Sequence, residues 1–174
     1  MNHTFLFQPG VWTGTGTLWR ADGEPLETVA RTEIAHRPEC WLLSGVVKVL
    51  GAPPTEFVHA YLIQPPAPGE QSVKWTFENE MFGALEGRFA VIGSSILSSY
   101  GCEHSGYHGA EHLGQLDAEH YRSAGMMLLK GQMIYCREMK LTRAGRGAGG
   151  LPVSARSGSA AALAWRAAAA PPAG

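Results

Sequence analysis

The chain has 174 residues, a length that suits one domain with a single hydrophobic core. Its 14 basic and 15 acidic residues give a net charge of −1, and the basic residues form no patch, so a nucleic-acid-binding protein is not expected. No stretch approaches the run of apolar residues that a membrane span needs, so a membrane protein is not expected either.

The cysteines and the N-terminus indicate the compartment. Cys40, Cys102 and Cys136 are odd in number, widely spaced and without a CxxC pair, which disfavours a disulfide framework and a structural zinc site. The N-terminal segment lacks the positively charged region of a secretory signal. We therefore expect a cytoplasmic protein.

The predicted elements are almost all strands, separated by turn signals about every ten residues. In chain order they cover residues 11–20, 26–36, 40–50, 56–63, 72–80, 87–100 (one long strand or two), 104–113, 118–123 and 131–143. The segment 110–129 is the weakest strand prediction and leaves room for a helical turn. Consecutive strands joined by short turns predict an all-β fold, a single up-and-down antiparallel barrel of eight to ten strands, because closure removes exposed edges.

The composition changes after Arg143. Residues 144–174 consist almost entirely of Ala, Gly, Ser, Pro and Arg and have little to bury, so they predict a low-complexity, disordered tail. Residues 1–143 then form the barrel domain. Insertion of Leu163, Trp165 and Arg166 into a membrane surface or a partner is the alternative for the tail.

The first predicted strand carries the glycine-rich sequence GVWTGTG at residues 10–16. A phosphate-binding loop needs a preceding strand and a following helix, and the flanking sequence provides neither. Gly14 and Gly16 instead indicate a curved strand or a close backbone approach at a barrel corner.

The same stretch resembles a family signature. Gly10-x-Trp12 resembles the Gly-x-Trp motif on the first strand of the calycins, which include lipocalins and fatty-acid-binding proteins. The longer pattern, with Gly14 and Gly16, is similar to the start of nitrobindin-type, ten-stranded haem-binding barrels. The resemblance implies a calycin-like barrel with a cavity for a small molecule.

The resemblance also implies roles for individual residues. Trp12 would close the barrel floor, and Arg143 or Arg137 of the last strand would lie on its face in a cation–π contact. Nitrobindins place a haem-ligating histidine in their C-terminal strands. The final strand of this chain, MIYCREMKLTR, has no histidine, so no haem ligand carries over.

A group of histidines, at positions 104, 108, 112 and 120, follows Cys102. Four residues of strand span about 13 Å, too far for one ion with ligands at about 2 Å. Only Cys102 and His104 lie near enough to share an ion, with His59 as a partner from another strand. Polar histidines of the barrel wall or of a hairpin are the simpler interpretation, and no metal site is predicted.

Acid–base catalysis is an alternative use of the cavity. Its candidate residues are Glu103, His104 and Tyr107, because such chemistry needs titratable groups in one pocket. Glu119 and Tyr121 offer the same residue types. The sequence has no Gly-x-Ser-x-Gly nucleophile elbow and no cysteine in a signature of nucleophilic enzymes.

Aromatic residues that alternate along the strands give the main functional prediction. A barrel interior with apolar side chains and a few polar tips is typical of a small-molecule site. The predicted ligand-binding residues are His59, Tyr61, Trp75, Phe77, Tyr100, His104, Tyr107 and Tyr121.

These residues predict a lipocalin-like carrier or sensor that holds a small, largely hydrophobic molecule, with no cofactor. An enzyme is the first alternative, and a haem- or metal-binding barrel is the second. A homodimer is left open.

Overall fold

The computed structural model describes residues 3–21, 23–79 and 82–145, and the regular structure within these ranges is all β-strand. The ten strands are β1 (Gly10–Arg20), β2 (Leu26–His36), β3 (Trp41–Val49), β4 (Thr55–Ile63), β5 (Ser72–Asn79), β6 (Gly83–Ile92), β7 (Ser95–Cys102), β8 (Tyr107–Gln115), β9 (His120–Leu129) and β10 (Gln132–Arg143). No helix within these ranges is long and apolar enough to cross a membrane. The predicted tail, except for residues 144 and 145, lies outside the described residues.

The strands form one closed barrel in which each strand pairs antiparallel with its neighbours in the chain, and β1 pairs with β10. The prediction of an all-β, up-and-down antiparallel barrel is therefore confirmed. The predicted strand over residues 87–100 belongs to two strands, β6 and β7, with Gly93 at a φ of 61° in the turn between them. Residues 110–129 form β8, β9 and their connection, and the helical turn considered there is absent.

Side-chain alternation places one face of each strand inside the barrel. On β5, Val73, Trp75 and Phe77 are each less than 5% exposed, whereas Lys74 and Thr76 between them are exposed. This is the face that the alternation in the sequence predicted.

One end of the barrel is closed by a floor, which consists of the N-terminal segment 3–9 together with Trp12 and Tyr121. The rings of Phe5, Trp12 and Tyr121 pack with centroids 5.2–5.6 Å apart. The Tyr121 hydroxyl accepts hydrogen bonds from the backbone N–H groups of Thr4 (3.0 Å) and Phe5 (3.2 Å). Arg143 Cζ lies 5.9 Å from the Trp12 ring centroid, so a cation–π contact closes the floor from outside.

Among the described residues, β4 and β5 form the shortest strand pairing of the barrel, and this short pairing is called the thin wall. Within the described ranges these strands pair only where Tyr61–Ile63 faces Trp75–Phe77. The first half of β4, residues 55–60, therefore has no described ladder partner on its β5 side. This edge lies toward the end of the barrel opposite the floor.

Candidate ligand-binding site

A cavity of about 140 Å³ lies inside the barrel, above the floor. A cavity of roughly 150 Å³ with an apolar lining is large enough to bind benzene, so this cavity has room for a molecule of about that size. Its wall is largely apolar, and its aromatic members include Phe57, Tyr61, Trp75, Phe77, Phe82, Phe89, Tyr100 and Tyr135.

The aromatic side chains of the wall pack against one another where β4 and β5 pair. Tyr61 meets Trp75 edge to face, with ring centroids 4.8 Å apart, and stacks with Phe77 at 5.1 Å. Trp75 Nε1 donates a hydrogen bond to Ser98 Oγ at 3.2 Å. Because this bond satisfies the only polar atom of the indole, Trp75 presents an apolar surface to the cavity.

A row of three residues across β8, β9 and β10 gives the cavity its polar side. Glu111 pairs with Gly125, and Gly125 pairs with Arg137. Neighbouring strands are about 4.8 Å apart, so the outer two residues are separated by about 10 Å at the backbone. Since Gly125 has no side chain, Glu111 and Arg137 reach across it and form an ion pair inside the barrel.

The ion pair is supported by further hydrogen bonds. Arg137 Nη2 and Ser123 Oγ both donate to Glu111 Oε1, the latter at 3.1 Å. Arg137 Nη1 lies 3.1 Å from Met139 Sδ, a weak acceptor. Both charged side chains are 22% exposed, and both line the cavity, so their free surface faces the cavity.

Three tyrosines face this ion pair. Burial raises the pKa of Tyr61, and the nearby Glu111 carboxylate raises it further. Burial also raises the pKa of Tyr100 and of Tyr135, which share a hydrogen bond. All three phenols therefore stay protonated at neutral pH and serve as neutral hydrogen-bonding groups.

The arginine keeps its charge in this setting. Burial alone lowers the pKa of Arg137, but Glu111 and the three tyrosines outweigh that effect, and the pKa is raised above its ordinary value. A buried cation of this kind needs a partner that compensates its lost hydration. Glu111 supplies that compensation.

His59 lies on the same inward face of β4 as Tyr61 and is 7% exposed. Burial, and secondly the positive charge of Arg137, lower its pKa to about 4. At neutral pH His59 is therefore an uncharged imidazole. Its ring is 5.6 Å from that of Tyr61 and 6.2 Å from that of Phe57.

Five of the residues predicted to bind a ligand are together on the cavity wall: His59, Tyr61, Trp75, Phe77 and Tyr100. The other three lie elsewhere. Tyr107 packs edge to face on Phe82, with centroids 5.0 Å apart, outside the lining. Tyr121 belongs to the floor, where its hydroxyl binds the N-terminal segment.

The third, His104, is exposed in the turn between β7 and β8, next to the exposed Glu103. This turn contributes no residue to the cavity lining. The candidate acid–base group of Glu103, His104 and Tyr107 is therefore not assembled around the cavity.

Sequence reasoning missed the ion pair itself. Arg137 was considered only for the face of Trp12, a position that Arg143 occupies, and Glu111 was not considered. Both residues alternate with outward-facing neighbours, so the strand pattern could have predicted that their side chains point inward. Their pairing depends on the register of three strands, which alternation does not provide.

The histidines and cysteines do not gather at one point. Within the described part of the chain, no three His, Cys, Asp or Glu side chains are arranged to hold a metal ion. Haem was an alternative for the cavity, and among the described residues His59 is the one histidine on its wall. Haem binding in this cavity stays a prediction.

Two solved structures have a fold similar to that of this barrel. The S-type phycobiliprotein lyase CPES from Guillardia theta superposes with a TM-score of 0.58 at 6% identity, over 79% of this chain and 89% of the lyase. The protein Rv2717c from M. tuberculosis superposes with a TM-score of 0.51 at 15% identity, over 78% of this chain and 92% of that protein. Both are ten-stranded calycin-like barrels. The chain has a calycin-type fold.

The calycin-type fold agrees with the Gly-x-Trp resemblance at the start of β1. No protein-family model and no curated protein matches the sequence. At 6% and 15% identity the two superpositions establish the fold alone. The function of this calycin-type barrel must therefore be argued from its cavity.

Proposed function

We propose that the protein binds a small, largely apolar molecule inside its barrel, as a carrier or sensor. The cavity inside the barrel carries this proposal, because an apolar wall with a few polar groups is the usual construction of a small-molecule site. Binding would be driven by burial of apolar surface, worth roughly 25 cal/mol per Å². The similarity to a phycobiliprotein lyase agrees with a small-molecule role for the fold.

The ligand would enter the cavity most easily through the thin wall, along the edge of β4 that has no described ladder partner on β5. Glu56 lines the cavity although its side chain is 54% exposed, so the cavity approaches the surface at this residue. The same residue lies in the half of β4 that has no described ladder partner on β5. Opening this edge would break few of the backbone hydrogen bonds made by the described residues.

Binding is proposed rather than catalysis because of the protonation states in the cavity. A general acid or base works best with a pKa near the operating pH. The pKa values of Tyr61, Tyr100 and Tyr135 are raised, and that of His59 is lowered to about 4. These groups each keep one protonation state near neutral pH, so they are poorly matched to proton transfer there.

A cavity-filling variant tests the proposal. Ala30 lines the cavity from β2, so Ala30→Phe places a ring where the ligand would lie. Phenol and indole, titrated into labelled protein and followed by NMR chemical shifts, should bind the wild type saturably. Binding should weaken about ten-fold or more in Ala30→Phe, which corresponds to at least 1.4 kcal/mol.

Ala60→Phe is the matched control, because Ala60 is exposed on the outer face of β4. It should bind both probes as the wild type does. Equal binding to Ala30→Phe and wild type, or the lack of any saturable binding to the wild type, would overturn the proposal.

A further inference from the structure

The charge inside the cavity is already balanced. Arg137 is the cation of the lining, and Glu111 forms an ion pair with it. The other charged lining residue, Glu56, is exposed at the surface and pairs with Lys48. A ligand carboxylate placed beside Arg137 would add a second negative charge next to Glu111 in a buried site, and like charges there repel strongly.

The ion pair nevertheless retains hydrogen-bonding capacity toward the cavity. Arg137 and Ser123 both donate to Glu111 Oε1, whereas Glu111 Oε2 accepts no hydrogen bond from the described residues. A guanidinium has five N–H donors, and those of Arg137 have two acceptors among the described residues, Glu111 and Met139. An acceptor and several donors are therefore left side by side.

Apolar surface lies across the cavity from these polar atoms. Trp75 and Phe77 of β5 line it from one side, and Tyr61 of β4 stacks with Phe77. The lining thus combines an ion pair of zero net charge, which still offers donors and an acceptor, with a group of aromatic side chains. A molecule that matches it has a flat apolar body and one polar end.

We infer that the polar end of the ligand is an uncharged group that both accepts and donates a hydrogen bond, namely a carboxamide or lactam, and not a carboxylate. This inference rests on the proposed function. The ligand's carbonyl oxygen accepts from the Arg137 guanidinium, and its N–H donates to Glu111 Oε2. Its ring or chain lies against Trp75 and Tyr61.

Benzamide and benzoate test the inference, because they share a ring that suits the cavity and differ in the polar group. Dissociation constants are measured for the full chain at pH 7, where benzoate is ionised, by NMR titration. Wild type should bind benzamide about ten-fold or more tightly than benzoate. In Glu111→Gln the preference should shift toward benzoate by about ten-fold, since Arg137 then lacks a counter-charge.

Glu33→Gln is the matched control. Glu33 is exposed on β2 and lies 3.9 Å from Arg31, so the variant removes one negative charge at the outer surface. It should keep the wild-type preference. A shift toward benzoate equal to that of Glu111→Gln would assign the effect to net charge and overturn the inference.

The outcomes separate the inference from the proposed function. Benzoate binding to wild type as tightly as benzamide, or phenol and indole binding while benzamide does not, overturns the inference and leaves the binding function intact. Failure of all four probes to bind overturns the proposed function itself. The wild-type ratio decides the inference even if Glu111→Gln does not fold.

Discussion

At the scale of single residues, alternation along a strand gives the face of a side chain but not its height in the barrel. Tyr61, Trp75 and Tyr121 all point inward, as their strands predict. Tyr61 and Trp75 reach the cavity, whereas Tyr121 lies one level lower, in the floor. Height depends on where strands begin relative to one another, and a single sequence does not contain that information.

His59 should make stability depend on pH. The folded protein lowers its pKa from 6.5 to about 4, so between these pH values the unfolded chain binds more protons than the native state. The free energy of unfolding should therefore fall as the pH drops from about 6.5 to about 4, by roughly 3 kcal/mol from this residue. The contribution is fully present above pH 6.5.

Urea unfolding at several pH values between 7 and 4 measures this effect. His59→Gln should have a flatter pH dependence than the wild type over that window. His104→Gln, which alters an exposed histidine, should follow the wild type. A His59→Gln curve that runs parallel to the wild-type curve would mean that His59 titrates normally in the folded protein.

At the scale of strands, the number and order of elements could be predicted well, because turn signals separate them. Register could not. A bulge between Met133 and Tyr135 shifts the pairing of β10 with β9, so Met133 is exposed although Tyr135, two residues later, lines the cavity. The row of Glu111, Gly125 and Arg137 depends on that register.

Gly14 and Gly16 of β1 give a prediction about strand packing. A Cβ at Gly16 would overlap the backbone carbonyl of Glu138 on β10, and backbone cannot move aside cheaply. A Cβ at Gly14 would lie 2.7 Å from Leu141 Cδ2 and 3.1 Å from Met139 Cε, which are ends of flexible side chains. Gly16→Ala should therefore lower the free energy of unfolding by roughly 2–3 kcal/mol, and Gly14→Ala by less than about 1 kcal/mol.

Chemical denaturation of the two variants in parallel checks this difference, with each serving as the control for the other. Equal losses would show that β1 and β10 can separate at Gly16 without cost. The close approach would then not be what requires glycine there.

At the scale of the whole molecule, the barrel is packed unevenly. The most deeply buried large side chains, among them Trp12, Tyr121, Ile34, Ile63 and Ile96, are 0–1% exposed and lie near the floor. The cavity lies above them, beside the thin wall between β4 and β5. Closure of the barrel follows from the strand pattern, but the contents of the cavity do not, because they depend on all ten strands at once.

The outer surface of β4 offers a rival binding place. Val58 and Leu62 are 50% and 55% exposed there, so an apolar probe has somewhere else to bind. The wild-type affinity alone does not distinguish this surface from the barrel interior.

Intermolecular nuclear Overhauser effects from bound indole to labelled protein locate the ligand directly. If the barrel interior is the binding site, the indole ring protons should give cross-peaks to Phe77, Phe89 and Met127, all of which line the cavity. Cross-peaks confined to Val58 and Leu62 would place the probe on the outside of the barrel and contradict the central claim.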